Sequence, residues 1–137
     1  MTFLVERLAS LRRYLDHLGE LRPRVDSVAA LRRDLSLHND VLFSLLSVCQ
    51  LVIDIAGELS TRRGLGFDDY TQAVRNLTAW EGIPGSVVEE LERLPGFRNV
   101  LIHEYVALDL ERVLDALDRL APIEEFARAV AALESES

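Results

Sequence analysis

The sequence predicts an all-α protein, an up-and-down helical bundle of about five helices joined by short connections. Apolar residues recur at helical spacing along nearly the whole chain, and no segment alternates apolar and polar residues over the length of a strand. Gly and Pro fall mainly between the periodic segments. With 137 residues, 49% of them hydrophobic, the chain can bury one core but hardly two. We therefore expect a single domain over residues 1–137, with a frayed tail at 134–137.

Two helices are predicted in the N-terminal half. The first carries a stripe of leucines and ends where Gly19 and Pro23 interrupt the pattern. The second is predicted to run unbroken over 27–63 and to stop at Gly64. Its most apolar stretch, 41–53, is interrupted by Ser and Gln and bounded by Asp on both sides, so we expect no membrane-spanning segment.

The C-terminal half contains the remaining helices, three of which start at a candidate N-cap. Asp68, Ser86 and Asp109 have the short polar side chains that favour a helix start. Pro95 predicts a turn or kink after the segment that Ser86 starts, and Pro122 predicts a kink within the last segment. The resulting helices are expected over 68–80, 87–94, 97–106 and 109–130.

Composition limits the possible functions and locations. The formal net charge is −8, which disfavours tight binding of nucleic acid by bulk electrostatics, so any polyanion site must be local. The only cysteine, Cys49, has no partner for an internal disulfide and no neighbour at a metal-ligand spacing, which favours a cytoplasmic protein without structural zinc. The slightly positive mean hydropathy predicts apolar surface that meets another subunit.

One segment, RNVLIHEY over 98–105, contains the residue types for phosphodiester chemistry. Polar side chains interrupt an otherwise apolar helix there. Arg98 offers a planar fork of donors that matches phosphate oxygens, and His103 is the side chain type that exchanges protons near neutral pH. Asn99 precedes His103 by four residues, so it can orient the ring or a phosphate, and Tyr105 follows.

The pattern Arg98-Asn99-x-x-x-His103-x-Tyr105 resembles the Arg-x4-His-x-Tyr motif of HepT-type toxins in the HEPN superfamily. The stretch 51–56 is similar to that family's central helix, and the resemblance extends over about the whole chain. It implies a HEPN-like helical bundle that dimerises and brings two copies of the motif to a shared cleft. It also implies the toxin of a type VII-like toxin–antitoxin pair, a metal-independent endoribonuclease whose partner is an MntA-type minimal nucleotidyltransferase antitoxin.

The same resemblance implies roles for individual residues. Arg98 and His103 would be catalytic towards RNA, with Asn99 supporting them and with no metal or cofactor. Adenylylation of Tyr105 by the antitoxin would place a bulky anion in the cleft and inhibit the enzyme. Asp54 lies among apolar residues and needs a partner if buried, and we expect that partner to be Arg98.

Plainer interpretations of the same residues stay open at this point. In these interpretations Arg98 serves only as an ion-pair partner of an acid, His103 is a satisfied core histidine, Tyr105 is a core ring and Asn99 is a helix-terminal residue. For the whole protein, the alternatives are a non-catalytic nucleotide- or substrate-binding partner of a nucleotidyltransferase and a purely structural helical dimer. The triplet of residues 38–40 does not predict a metal site, because consecutive helical side chains diverge.

Overall fold

The computed structural model describes residues 2–136, and within that range the chain forms eight α-helices, two 3₁₀ helices and no strand. The α-helices are α1 (Thr2–Leu21), α2 (Val28–Arg33), α3 (Leu35–Arg62), α4 (Tyr70–Arg75), α5 (Gly85–Leu91), α6 (Leu94–His103), α7 (Leu110–Leu117) and α8 (Ala121–Glu136). The 3₁₀ helices are Arg22–Arg24 and Asn76–Ala79. The predicted all-α class is confirmed, and the chain is divided more finely than the expected bundle of about five helices.

The unbroken helix predicted over 27–63 is wrong at one point, because the chain breaks at Asp34. Asp34 has an extended backbone (φ −130°, ψ 96°), and its Oδ1 accepts a hydrogen bond from the Leu37 N–H at 3.1 Å. Ser27 caps α2 in the same way, accepting from the Ala30 N–H at 3.3 Å. A short polar side chain that accepts from the backbone starts a new helix even where the apolar pattern continues. The two helices therefore have separate starts.

The end of α3 confirms the stop predicted at Gly64. Gly64 has φ +68°, its N–H donates to the Thr61 carbonyl at 3.0 Å, and the Leu65 N–H donates to the Ser60 carbonyl at 2.9 Å. This pair of bonds satisfies carbonyls that the helix leaves without partners, and it requires a left-handed residue, which glycine adopts without steric cost. The chain therefore leaves α3 in a fixed direction.

Three helices of the C-terminal half start or end at other residues than expected. Helix α5 begins at Gly85, directly after Pro84, so Ser86 lies inside the helix and is not its N-cap. Asp69, and not Asp68, caps α4 by accepting from the Gln72 N–H at 2.8 Å, because either acid can precede the helix and only one fits the cap geometry. Pro95 lies in the first turn of α6, where the missing N–H has no intrahelical partner to lose. That helix ends at His103, earlier than expected.

The last predicted helix, over 109–130, is two helices with a break between them. Pro122 lies in the first turn of α8, so it marks a helix start and not a kink. In the described part of the tail expected at 134–137, α8 continues through 136. Glu134 anchors that end, because its carboxylate is only 11% exposed and lies 2.8 Å from Nη1 of Arg62 on α3. The final residue lies outside the described range.

Helix α3 forms the centre of the bundle. It packs along α1 and against α4 and α6, while α8 packs on α1 and α5. The largest fully buried side chains are Phe126, Leu4, Leu11, Leu18, Leu31, Ile55, Leu77 and Leu91. By length and composition alone the 28-residue α3 can cross a membrane, but 61% of its most apolar window is buried within the bundle, and a core helix passes the same test. The fold thus carries α6 on the central helix.

Candidate functional site

Three contacts hold the guanidinium of Arg98 where α6 packs on α3. Its Nε donates to Oε1 of Gln50 at 2.6 Å, and its Nη1 donates to Oδ1 of Asn99 at 3.0 Å. Its Cζ lies 5.7 Å from the ring centroid of Tyr70, within the range of a cation–π contact. Arginine has five N–H donors, and the Nη2 donors have no hydrogen-bond acceptor within residues 2–136. The guanidinium is therefore fixed through Nε and Nη1 and open at Nη2.

Behind Arg98 the contacts continue along α3 to α1. Nε2 of Gln50 donates to Oδ1 of Asp54 at 2.8 Å, as expected for side chains four residues apart on one helix face. The second carboxylate oxygen of Asp54 lies 3.5 Å from Nε of Arg7, whose guanidinium stacks 4.3 Å from the ring centroid of Phe3. Three helices thus contribute to one chain of polar contacts that ends at the motif arginine.

The expected ion pair between Asp54 and Arg98 is wrong. Asp54 pairs with Arg7, and the neutral amide of Gln50 lies between Asp54 and Arg98. The physical reason is the register of the two helices, which places Arg98 opposite Gln50, one turn before Asp54. Asp54 does find a partner, although its side chain is 31% exposed and not deeply buried.

His103 is the last residue of α6 and is exposed to solvent. Its ring has no hydrogen-bond partner in the part of the chain that the structure describes, so it is not a satisfied core histidine. Arg98 lies five residues earlier, about 140° round the helix for a standard twist of about 100° per residue. Both residues belong to α6: Arg98 is held against α3, and His103 is exposed to solvent at the end of α6.

Asn99 faces Arg98 and not His103. Its Oδ1 accepts from Arg98 Nη1, and no hydrogen bond joins it to His103 among the described residues. The expected orienting role towards His103 therefore has no contact in this structure, whereas a supporting role towards Arg98 does. Asn99 also lies in the interior of α6 and is not a helix-terminal residue.

Tyr105 lies just beyond α6 with its side chain 62% exposed, so it is not a core ring. It lines an open groove of about 350 Å³ together with residues of α3 and α6. The other lining residues are His38, Asn39, Leu42, Phe43, Leu46, Leu101 and Ile102. The neighbouring Val106 is 86% exposed. A hydroxyl accessible to solvent thus stands beside an apolar surface, two residues after His103.

The other polar residues considered from the sequence do not form a second centre. Nε2 of His17 lies 2.9 Å from both carboxylate oxygens of Asp40, which also accepts from Ser44 at 3.3 Å. Nδ1 of His38 lies 3.2 Å from Oδ1 of Asn39, whereas Asp40 pairs with His17, so the three side chains of 38–40 do not converge on one point. No group of three or more metal-ligating side chains occurs among the described residues.

Cys49 lies beneath the site, next to Gln50, and is 2% exposed. Burial raises the pKa of its thiol to about 12, although the charge of Arg98 acts in the opposite direction. The thiol is therefore protonated at neutral pH and inert as a nucleophile. Its position shows that the guanidinium of Arg98 lies close to the apolar core.

Three contributors to the site were missed from the sequence. Gln50, Arg7 and Tyr70 each contact the chain of groups around Arg98, yet none belongs to the motif segment. The available signal was the pair of polar residues at 50 and 54, four apart in an apolar run, which marks a polar strip on a buried helix. Nothing local in the sequence indicates Arg7 or Tyr70.

The comparison with protein families decides the classification. The family model described as HepT-like (Ribonuclease HepT-like) matches residues 11–130. The chain belongs to the HepT-like ribonuclease family. A curated relative from Archaeoglobus fulgidus, named a putative RNase, is 32% identical over 118 residues, covering 85% of this chain and 89% of the relative. The mRNA nuclease HepT of Shewanella oneidensis is 21% identical over 134 residues, 97% of each chain.

Solved structures agree with the fold of this HepT-like chain. The tri-AMPylated HEPN toxin of Shewanella oneidensis, solved in complex with MNT antitoxin, matches with a TM-score of 0.81 and 21% identity over 96% of this chain and 98% of that one. A toxin–antitoxin structure with AMP-PNP matches with a TM-score of 0.79 and 20% identity, covering 95% and 98%. These similarities confirm the HEPN helical fold, and the family match confirms the ribonuclease class that the motif implied.

Proposed function

We propose that this HepT-like protein is the toxin of a type VII-like toxin–antitoxin pair, a metal-independent endoribonuclease that uses Arg98 and His103. The observation that carries the proposal is the state of Arg98, whose guanidinium is held by Gln50, Asn99 and Tyr70 and keeps Nη2 without a protein acceptor. A fork fixed in this way is suited to two phosphate oxygens. His103 supplies the proton-exchanging group on the same helix.

The proposed reaction uses the 2′-hydroxyl of RNA as the nucleophile. A bond forms between the 2′-oxygen and the adjacent phosphorus, and the bond from phosphorus to the 5′-oxygen breaks, leaving a 2′,3′-cyclic phosphate. One proton leaves the 2′-hydroxyl and one is delivered to the departing 5′-oxygen, and His103 acts as the general base or acid in this exchange. Arg98 stabilises the negative charge that develops on the phosphoryl oxygens. The guanidinium of Arg98 thus supplies the positive charge that stabilises the transition state.

A homodimer would bring two copies of the motif into one cleft. The surface beside His103 is apolar and exposed, with Phe43 and Tyr105 lining the groove and Val106 next to it. Exposed apolar surface of this kind marks a contact with another chain, and we assign it to a second copy. Light scattering should show a dimer for the wild type and a monomer for Phe43→Glu, and a wild type that is monomeric at concentrations that cleave RNA would contradict the assignment.

Inhibition is proposed to act through Tyr105 and an MntA-type nucleotidyltransferase antitoxin. The Tyr105 oxygen would attack the α-phosphorus of ATP, lose its proton and release pyrophosphate, which leaves one AMP group on the ring. The exposure of Tyr105 allows this reaction, and its place after His103 puts the added anion beside the motif. The added phosphate would compete with RNA by charge and volume. Both partners are expected in the cytoplasm.

The net charge of −8 predicts weak, salt-sensitive RNA binding that is confined to the cleft. Because the acidic charge disfavours RNA binding, it favours one alternative function. In that alternative the protein is a non-catalytic subunit whose Arg98 binds a nucleotide phosphate for a nucleotidyltransferase. Purified wild type, Arg98→Ala and His103→Ala should be compared on labelled single-stranded RNA in EDTA, with the exposed Arg12→Ala as a matched control. We expect cleavage by the wild type and Arg12→Ala only. Nucleotide binding that Arg98→Ala abolishes, without cleavage by any variant, would favour the alternative.

A further inference from the structure

Gln50 occupies the position where a carboxylate would be expected. Arg98 Nε donates to Gln50 Oε1 at 2.6 Å, and Gln50 Nε2 donates to Asp54 Oδ1 at 2.8 Å. The guanidinium has only donors and the carboxylate only acceptors, so the amide has one orientation that satisfies both neighbours. A flip of the amide would lose both hydrogen bonds.

The order of these groups determines how much of the Arg98 charge is available. A carboxylate on Arg98 would form an ion pair that a phosphate has to displace. The neutral amide instead keeps the negative charge of Asp54 one side chain away, and that charge is paired with Arg7 at 3.5 Å. Tyr70 and Asn99 contribute contacts to Arg98 without negative charge. Each protein group in contact with the guanidinium is therefore neutral.

We infer that Gln50 is a positioning residue that holds Arg98 through Nε without neutralising it, so that the Nη2 donors and the full charge remain for an RNA phosphate. This inference rests on the proposed function. It assigns a separate task to each group in the chain: Asp54 fixes the orientation of Gln50, Gln50 fixes Arg98, and Arg7 offsets the charge of Asp54. A role in folding alone would require only that the hydrogen bonds be made.

Exchanging the amide of Gln50 and the carboxylate of Asp54 distinguishes this positioning role from a role in folding alone. Gln50→Glu combined with Asp54→Asn leaves the net charge unchanged. It also allows the same series of hydrogen bonds, because both Arg98 and the amide introduced at position 54 can donate to the carboxylate introduced at position 50. Only the place of the negative charge differs. We expect a similar thermal midpoint but a loss of about tenfold in kcat/KM, equivalent to about 1.4 kcal/mol. The concentration of inorganic phosphate that halves cleavage should rise in the same proportion.

Controls make each outcome decisive. Gln72→Glu is the matched control, because Gln72 also donates from Nε2 to a side chain four residues away, the Oδ1 of Asn76 at 2.9 Å, but is exposed. This variant adds one negative charge away from Arg98 and should leave cleavage unchanged. Asp54→Asn alone should lose less activity than the exchange variant, while Gln50→Glu alone, a second route if the exchange does not fold, should lose at least as much. An exchange variant that folds and cleaves like the wild type would overturn the inference. If Arg98→Ala also cleaves like the wild type, the proposed function fails as well.

Discussion

Replacing Arg98 with lysine tests whether the site needs the planar fork or only a positive charge. Lysine keeps the charge but replaces the fixed Nε and Nη1 donors, which lie 2.6 Å from Gln50 and 3.0 Å from Asn99, with one mobile ammonium. If one charge-assisted hydrogen bond to the transition state is lost, the cost is about 1.5 to 3 kcal/mol. That cost corresponds to a decrease of about 10- to 150-fold in kcat/KM. Because Arg98 is half-buried and an ammonium can still donate to its neighbours, the unfolding free energy should change by about 1 kcal/mol or less.

The assay is cleavage of a labelled RNA under single-turnover conditions, with wild type, Arg98→Lys and Arg98→Ala at matched protein concentrations. Denaturant unfolding of the same samples measures folding stability. We expect Arg98→Lys to fall between the other two. Full activity of Arg98→Lys would refute the role of the fork, and a loss of stability large enough to explain the lost activity would refute an origin in the active site.

Three further predictions concern the helix start, the buried thiol and the modification. Asp34→Ala removes the N-cap of α3 and should lower the unfolding free energy by about 1 kcal/mol. Asp68→Ala, next to the Asp69 that caps α4, should change the unfolding free energy little. Equal effects of the two substitutions would contradict the capping role of Asp34. The Cys49 pKa is raised from 9.0 to about 12, so its contribution to stability is complete below pH 9 and is lost as the pH rises towards 12. The unfolding free energy measured with urea between pH 9 and pH 12 should decline less steeply for Cys49→Ala than for the wild type. Parallel plots of unfolding free energy against pH would contradict the burial of the thiol. After coexpression with an MntA-type nucleotidyltransferase, the intact mass should rise for wild type and Tyr14→Phe but not for Tyr105→Phe, and nucleotide on Tyr105→Phe would exclude that target.

The sequence predicted the helical class and most helix positions because hydrophobic periodicity reflects burial, which is the main determinant of helix packing. It missed the break at Asp34 because the apolar pattern continues from α2 into α3. It also placed the cap of α4 at Asp68 and not at Asp69, since adjacent acids have equal local propensity and only the tertiary direction of the chain selects one. Helix starts depend on hydrogen bonds that periodicity does not report.

For the candidate site, residue types indicated Arg98 and His103, because few side chains serve phosphate recognition or proton exchange, and the family resemblance indicated Tyr105. Their partners depend on how two helices align. A shift of one turn between α3 and α6 would have put Asp54 against Arg98, as expected from the sequence, and the observed register puts Gln50 there instead. Contacts between helices depend on the packing of the whole core, and local patterns in the sequence do not predict the register of α3 against α6.

The most direct test of the proposed function is the chemistry of the cut. Unmodified wild-type protein should be incubated in EDTA with an end-labelled single-stranded RNA and with the same RNA carrying 2′-O-methyl groups throughout. The account predicts cleavage of the first RNA, with 2′,3′-cyclic phosphate ends, and no cleavage of the second, because the methylated oxygen has no proton to give up. Cleavage of both RNAs, or of neither by folded and unmodified protein, would contradict it.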